Sequence, residues 1–396
     1  MAFFLGTFVL PAEGRFRPGM VTDPIDSADS IELSLLTCGP GKEVYSQYGH
    51  TAVRVHLFYV HNGGALYERD LVFNYGMFSS RQPYFVPRFV FGLTDYKVDV
   101  VSFREFCYEY DYEGRGVMEQ VLNLSQTDKY RIAKALQDNV KPENQTYRYN
   151  FFYDNCTTRA RDIIVTHLSG KVDYPTLRPG KVSFRDMIHQ WNEPYPWARF
   201  GEDLLLGVNA DKACGLGEQQ FLPQNLFDDF GKATYRGRPL VAATRLVLPQ
   251  RLEPGGASSP LSPVACGLLL LAVSVIVAAV EWRKHVVFWG WDLALMLVSG
   301  LVGVILTLMI FSQHPCVSLN LLLFFFNPIP LFMAWRATKR TRQHRPDRWW
   351  KVWGVLLLLG FAGGLAQSYP SAIYFVALSL LSRPMLHIYE SKKSAA

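Results

Sequence analysis

The sequence predicts an α+β domain organised around a helix-capped cysteine, joined to an all-α membrane domain of about five transmembrane helices. Residues 149–162 read YNFFYDNCTTRARD, an aromatic run that stops at Asp154 and Asn155 just ahead of Cys156. Asp and Asn are favoured helix caps, so Cys156 is expected in the first turn of a helix. Upstream, short runs alternate between apolar and polar residues in the manner of half-buried strands. Downstream of residue 263 the pattern changes to long apolar runs, which soluble domains seldom show. Charge divides at the same place. Residues 263–396 carry 12 Lys+Arg against 4 acids, a net of +8, which leaves −2 for the preceding part within the overall +6. The excess positive charge therefore belongs to the membrane part and gives no argument for a nucleic-acid partner.

The elements follow in order. Residues 1–10, MAFFLGTFVL, are apolar with no basic flank. They read as a shortened export signal or a first strand, and residues 1–30 as an extended segment. Strands are predicted at 31–37, from His50 through the alternating run 50–55, at 66–75, 96–103 and 116–124. The loop at 61–64, HNGG, closes a hairpin. A helix over 127–140 starts behind a Ser125 cap, and the helix after Cys156 runs to about residue 168, closed by Ser169 and Gly170. Residues 171–250 are turn-rich and are expected to wrap a catalytic domain spanning 31–250. Residues 251–262 read as a linker, ahead of a transmembrane domain at 263–396.

Five apolar segments, at 263–280, 286–311, 317–335, 349–366 and 372–388, approach the ~20 residues needed to span hydrocarbon. The last is the weakest, being interrupted by Arg383 and Pro384. Arg283 and Lys284, the run RATKRTRQHRPDR at 336–348, and Lys392 and Lys393 fall in alternate loops, whereas 312–317 and 367–371 hold no Lys or Arg. The positive-inside rule puts the basic loops and the C-terminus in the cytoplasm and the amino-terminal domain outside it.

Cysteines at 38, 107, 156, 214, 266 and 316 form neither a CxxC nor a metal-like cluster, so no metal and no cofactor is expected. A Cys38/Cys107 disulfide is open to the chain in an oxidising compartment. At a helix start, free N–H groups and the helix dipole stabilise a thiolate, which makes Cys156 the candidate nucleophile. Such a thiol needs a base, and His50, after Gly49 at a strand start, is the candidate. The competing readings are a buried structural thiol and a satisfied core histidine. Asn74 on the next strand is the candidate for fixing the imidazole, with a turn-forming role as its alternative. Tyr48, Asn155, Arg159 and the backbone N–H groups around Cys156 are candidates for holding substrate or an oxyanion. In the membrane part His314, Asn320 and Asn327 are further candidates, because polar residues in hydrocarbon are costly and often functional. Their plain alternative is helix–helix hydrogen bonding with a kink at Pro328.

The order of histidine, polar residue on the next strand and cysteine at a helix start resembles the circularly permuted papain-like (NlpC-type) superfamily. More closely, the stretches CGPGKEVYSQYGHTAVRV (38–55), VFNYGMF (72–78), PENQTYRYNFFYDNCTTRARDII (142–164) and QHPCVSLNLLLFFFNPIPL (313–331) resemble the bacterial Lnb family of lipoprotein N-acyltransferases. The resemblance implies an inner-membrane acyltransferase with a periplasmic papain-like domain. In that reading Cys156 and His50 carry an acyl chain from a membrane phospholipid or other acylated lipid, through a thioester, to the terminal amine of a diacylglyceryl-cysteine lipoprotein. Two alternatives stand beside it. One is a cell-envelope cysteine hydrolase using the same pair with water as acceptor. The other is a non-catalytic membrane assembly protein.

Overall fold

The computed structural model describes residues 28–60, 66–78, 83–175, 178, 181–253, 255 and 260–393. The apolar start of the chain, the 61–64 loop and linker residues 254 and 256–259 lie outside the described residues. Two compact units make up the rest. One runs through Trp191 and resumes at Ala213 up to the linker; the other takes Asn192–Lys212 and the chain after the linker. Residues 192–212, expected in the catalytic domain, therefore belong with the membrane helices.

The first unit is built on a seven-stranded sheet. Its strands come from β1 (Ser30–Cys38), β2 (His50–Val60), β3 (Leu66–Met77), β4 (Asp95–Ser102), β5 (Val117–Leu122), β6 (Thr146–Arg148) and β10 (Val241–Leu248). The order is β10-β5-β1-β2-β3-β4-β6, and each neighbouring pair is antiparallel. The short strands β7 (Val172–Asp173), β8 (Thr234–Tyr235) and β9 (Arg238–Pro239) form a separate three-stranded sheet. The helices of this unit are α1 (Phe85–Val90), α2 (Phe103–Glu113), α3 (Gln126–Asn139), α4 (Cys156–Thr166), α5 (Phe184–Asn192), α7 (Leu216–Gln219) and α8 (Pro223–Lys232), while α6 (Pro196–Leu205) falls in the second unit.

Alternation sends successive side chains to opposite faces of the central strands, and both faces are covered. Leu33, Leu35, Val53, Val55 and Phe73 pack with Ile132 and Leu136 of α3, Ala160 and Ile164 of α4, and Leu226 and Phe230 of α8. The opposite face sets Leu36, Cys38, Ala52 and Val72 against Phe106 and Tyr110 of α2. Caps fix the helix starts: Ser102 and Glu105 form a capping box on α2, and Ser125 accepts the Asp128 N–H at the start of α3. Cys38 and Cys107 both pack in the α2 layer as free thiols, so the disulfide open to them is not formed.

The second unit holds α9 (Pro263–Lys284), α10 (Trp289–Met309), α11 (Ile329–Arg342), α12 (Trp349–Gly363) and α13 (Ser371–Lys393). Four segments, Pro263–Lys284, Trp289–Met309, Leu321–Arg342 and Ser371–Ser391, are long and apolar enough to cross a membrane; Trp349–Gly363 is shorter. The last apolar segment is neither short nor broken at Arg383 and Pro384, since α13 is 23 residues long and runs through Pro384, and the shorter helix is Trp349–Gly363. The arginine of α13 is neutralised. Arg383, with no exposed surface, meets Glu281 through two bonds of 2.5 and 2.8 Å and Asp292 at 2.6 Å. His387, stacked on Trp350 at 3.7 Å, reaches Asp292 at 2.8 Å. These groups tie α9, α10 and α13 together, and a buried charge is tolerated only when paired in this way.

Candidate active site

The segment before α4 folds as a tight, self-satisfied turn. Asn150 and Asp154 form an isolated bridge, and the Asn150 side chain accepts the N–H groups of Phe152 and Tyr153 at 3.2 Å. Asn155, in extended conformation, is the N-cap. Its Oδ1 accepts from Thr157 and Thr158 N–H at 2.9 Å each, and its own N–H donates to the Thr158 hydroxyl at 2.8 Å. Its Nδ2 donates to the carbonyls of Phe151 and Phe221, both at 2.9 Å. Asn155 is thus committed to positioning the helix start. Cys156 becomes the first helical residue, and its own N–H is the first-turn donor that the capping box leaves over.

β2 brings the imidazole. Gly49 has φ +82, and a Cβ there would lie 2.5 Å from the Cys38 carbonyl oxygen. Only glycine fits this turn, which delivers His50 to the start of β2 in register with Cys38. Asn74 pairs with Ala52, two residues along from His50, so the His50 and Asn74 side chains leave the sheet on one side. His50 Nε2 and Asn74 Oδ1 are 3.3 Å apart. With Asn74 accepting, Nε2 carries a proton and Nδ1 is the nitrogen free to serve the thiol.

The Cys156 thiol is half-buried. Burial pushes its pKa up, but the charge and hydrogen bond of His50, with lesser help from the Thr51 N–H and the Thr157 hydroxyl, bring it down to about 7. The other two thiols of this unit for which a shift is resolved behave oppositely. Burial drives Cys38 to about 12 against the pull of Arg115 and Tyr110, and Cys107 to about 11 against that of Arg54. Low thiol pKa distinguishes a nucleophile from an inert buried cysteine.

The structure places the remaining candidates unevenly. Tyr48 lines a cavity beside the His50 turn. Arg159 turns away, pairing with Asp154 at 2.6 and 2.8 Å under the Tyr147 ring, so its charge is spent on the turn. Asn320 donates to the Leu204 carbonyl at 2.9 Å and accepts from Gln367 at 3.0 Å and from Leu322 N–H at 3.0 Å, which anchors the end of α6 within the second unit. Asn327 accepts from Ile329 N–H at 3.2 Å at the start of α11, where Pro328 is the cap, and lies against Gly303 of α10. His314 is buried in the same unit, its backbone N–H bonded to Ser312.

Several contributors escaped sequence reasoning. The hydroxyls of Thr51 and Thr157 meet at 3.1 Å and couple β2 to α4 beside the thiol. Glu109 of α2 interacts with the His50 charge; burial and Glu113 push its carboxyl up, and His50 pulls it back. Gly76, φ +87, sits where β3 slips out of register with β4, and a Cβ there would lie 3.4 Å from the Cys156 Cβ. The glycine in VFNYG was its visible signal. Among the described residues no group of three or more His, Cys, Asp or Glu is placed to hold a metal ion.

The family model described as the Lnb N-terminal periplasmic domain matches residues 23–187, and that described as the Lnb transmembrane domain matches residues 256–395. No curated protein and no solved structure matches the chain.

Proposed function

The chain belongs to the Lnb family, a membrane-associated group with a periplasmic amino-terminal domain, and on that premise we propose that it is a lipoprotein N-acyltransferase working through Cys156. The observation that carries the reading is the thiol lowered to about 7 by an imidazole that Asn74 orients. A thiol so lowered is available as thiolate near neutral pH, and the imidazole beside it can pass a proton to a leaving group and take one from an incoming amine.

The Cys156 thiolate attacks the ester carbonyl of a membrane lipid. The developing oxyanion takes the Cys156 N–H as one donor. The C–O bond breaks, the leaving alkoxide takes a proton from His50, and a thioester remains on Cys156. The α-amine of a diacylglyceryl-cysteine then attacks the thioester and gives its proton to His50. The C–S bond breaks, thiolate returns and an amide is formed. No oxidant, metal or cofactor enters this balance. Both substrates reside in the bilayer, which raises their effective concentration at a membrane-tethered domain. The C-terminus is cytoplasmic in this reading, by the distribution of Lys and Arg.

The test is donor incubation without acceptor. Enzyme given phospholipid alone should accumulate a hydroxylamine-labile acyl group on Cys156, and a lipopeptide with a free S-diacylglyceryl-cysteine amine should discharge it as amide. Free fatty acid released at one rate with or without lipopeptide would make the protein a hydrolase, and an inert Cys156 would end the enzymatic reading.

A further inference from the structure

A cavity of about 230 Å³ lies in the first unit between the sheet and α8. Its walls are Val117 and Met118 of β5, Leu246 and Leu248 of β10, Phe227 of α8 and Trp191 of α5. We propose that this cavity receives the hydrocarbon of the acyl group carried by Cys156. The inference rests on the acyl-enzyme reading above and extends it to the site that selects the chain.

Three observations converge. The cavity begins at the catalytic turn: Tyr48 and Cys38 line it, Cys38 is the register partner of His50, and Pro223 in its wall lies against Gly49. Its polar margin is already occupied. Gln250 accepts the Gly116 N–H at 2.6 Å and donates to the Leu252 carbonyl at 2.7 Å, and Gln224 donates to Asp228 at 2.8 Å. Beyond the Thr37 hydroxyl, the walls Val117, Met118, Phe227, Leu246 and Leu248 are apolar, so a sugar or peptide would lose hydrogen bonds there and a methylene chain would not. Leu246 keeps 65% of its surface exposed on the edge strand, apolar area that a chain lying along it would remove from water.

Thr37, next to Cys38, lies at the same end as the catalytic turn. It is buried, its hydroxyl has no partner among the described residues, and it lines the cavity. It pairs in register with Thr51, whose hydroxyl meets Thr157 next to the nucleophile. A carbonyl oxygen arriving with the chain would supply the missing partner. The cavity thus has one polar group toward the thiol and hydrocarbon walls beyond it, the polarity of an ester with its tail.

Two measurements on the full-length protein test this. A phospholipid with a diazirine near the end of one acyl chain, photolysed with the wild-type protein in nanodiscs, should label peptides containing residues 117–118, 223–227 or 246–248. Label confined to α9–α13 would overturn the inference. In the second, Met118→Trp fills room for about two methylenes. At about fourfold per methylene excluded, acylation of Cys156 from a long-chain donor should fall about fifteenfold relative to a short-chain donor. Leu246→Lys, at an exposed position that leaves the fold intact, should lower the same ratio. Unchanged ratios in both variants would overturn the cavity assignment while the thioester stands. Labelled cavity peptides with no Cys156 thioester from any donor would instead overturn the transferase and leave the cavity a lipid site.

Discussion

Replacing His50 with Ala tests how far the thiol depends on its partner. With the thiol at about 7, about half of Cys156 is thiolate at neutral pH. Without His50 only the Thr51 N–H and the Thr157 hydroxyl, with the helix end beside them, are left to lower it, while burial still raises it. The thiol should then return to its ordinary 9.0 or above, and the thiolate fraction at neutral pH falls about fiftyfold. The more basic thiolate is intrinsically more nucleophilic, which offsets about six- to tenfold of that loss. Alkylation by iodoacetamide at neutral pH should therefore slow about five- to eightfold, with its midpoint moving from about 7 to 9 or higher. The sign is fixed: reactivity rises with pH through the thiol midpoint, so the variant recovers in alkaline buffer. Mass spectrometry of the Cys156 peptide across pH reads this directly. A midpoint that stays near 7 in His50→Ala would show that the helix end lowers the thiol, and His50 would lose its role as base.

Three other perturbations have expected outcomes. Gly76→Val places a branched side chain at φ +87 within van der Waals contact of Cys156, so Cys156 acylation should be lost, at a cost of about 1–3 kcal/mol in stability; a fully active variant would remove Gly76 from the site. Arg383→Ala leaves Glu281 without its arginine and Asp292 with His387 alone, and should cost about 3–5 kcal/mol, read as a lower melting temperature in detergent, with an unchanged value refuting the cluster. Asp128 accepts from Ser125 at 2.8 Å, Tyr235 at 3.1 Å and Ser169; burial raises its carboxyl, but these bonds hold it below the ordinary value. Asp128→Asn should therefore lose about 1–3 kcal/mol at neutral pH, and the difference from wild type should fade as pH falls through the depressed folded value, since that stability exists only above the unfolded carboxylate pKa; a difference independent of pH would assign the loss to packing.

The fold was legible where the signal is local. Alternation from His50 to Val55 located β2, and Ser125 located the start of α3, because strand period and cap chemistry reside in a few adjacent residues. The position of Cys156 in the first turn was legible for the same reason, Asn155 being both sequence neighbour and cap of Cys156. Long-range pairing was not. Arg383 read as an interruption because its partners lie 102 and 91 residues away. Arg159 read as charge for the thiolate because its bidentate bond to Asp154 is a matter of rotamer. Asn320 read as a functional polar group, yet its bond to Leu204 depends on the placement of residues 192–212, which composition assigned elsewhere, and its bond to Gln367 spans 47 residues.

What separates a transferase from a hydrolase on this dyad is not the dyad. On the proposed mechanism, thiolate, imidazole and oriented amide would serve water and amine alike, and the thioester would be open to either until one arrives first. The geometry bears on that race at two points. Gly76 leaves the space beside the Cys156 Cβ clear, so an acceptor can approach where a side chain would otherwise stand. The apolar cavity beside His50, once filled by a hydrocarbon chain, keeps water from the volume it occupies. An acyl chain long enough to fill the cavity should therefore favour amide over free acid more than a short one does, and that ratio follows from occupancy alone, with no change in the reacting groups.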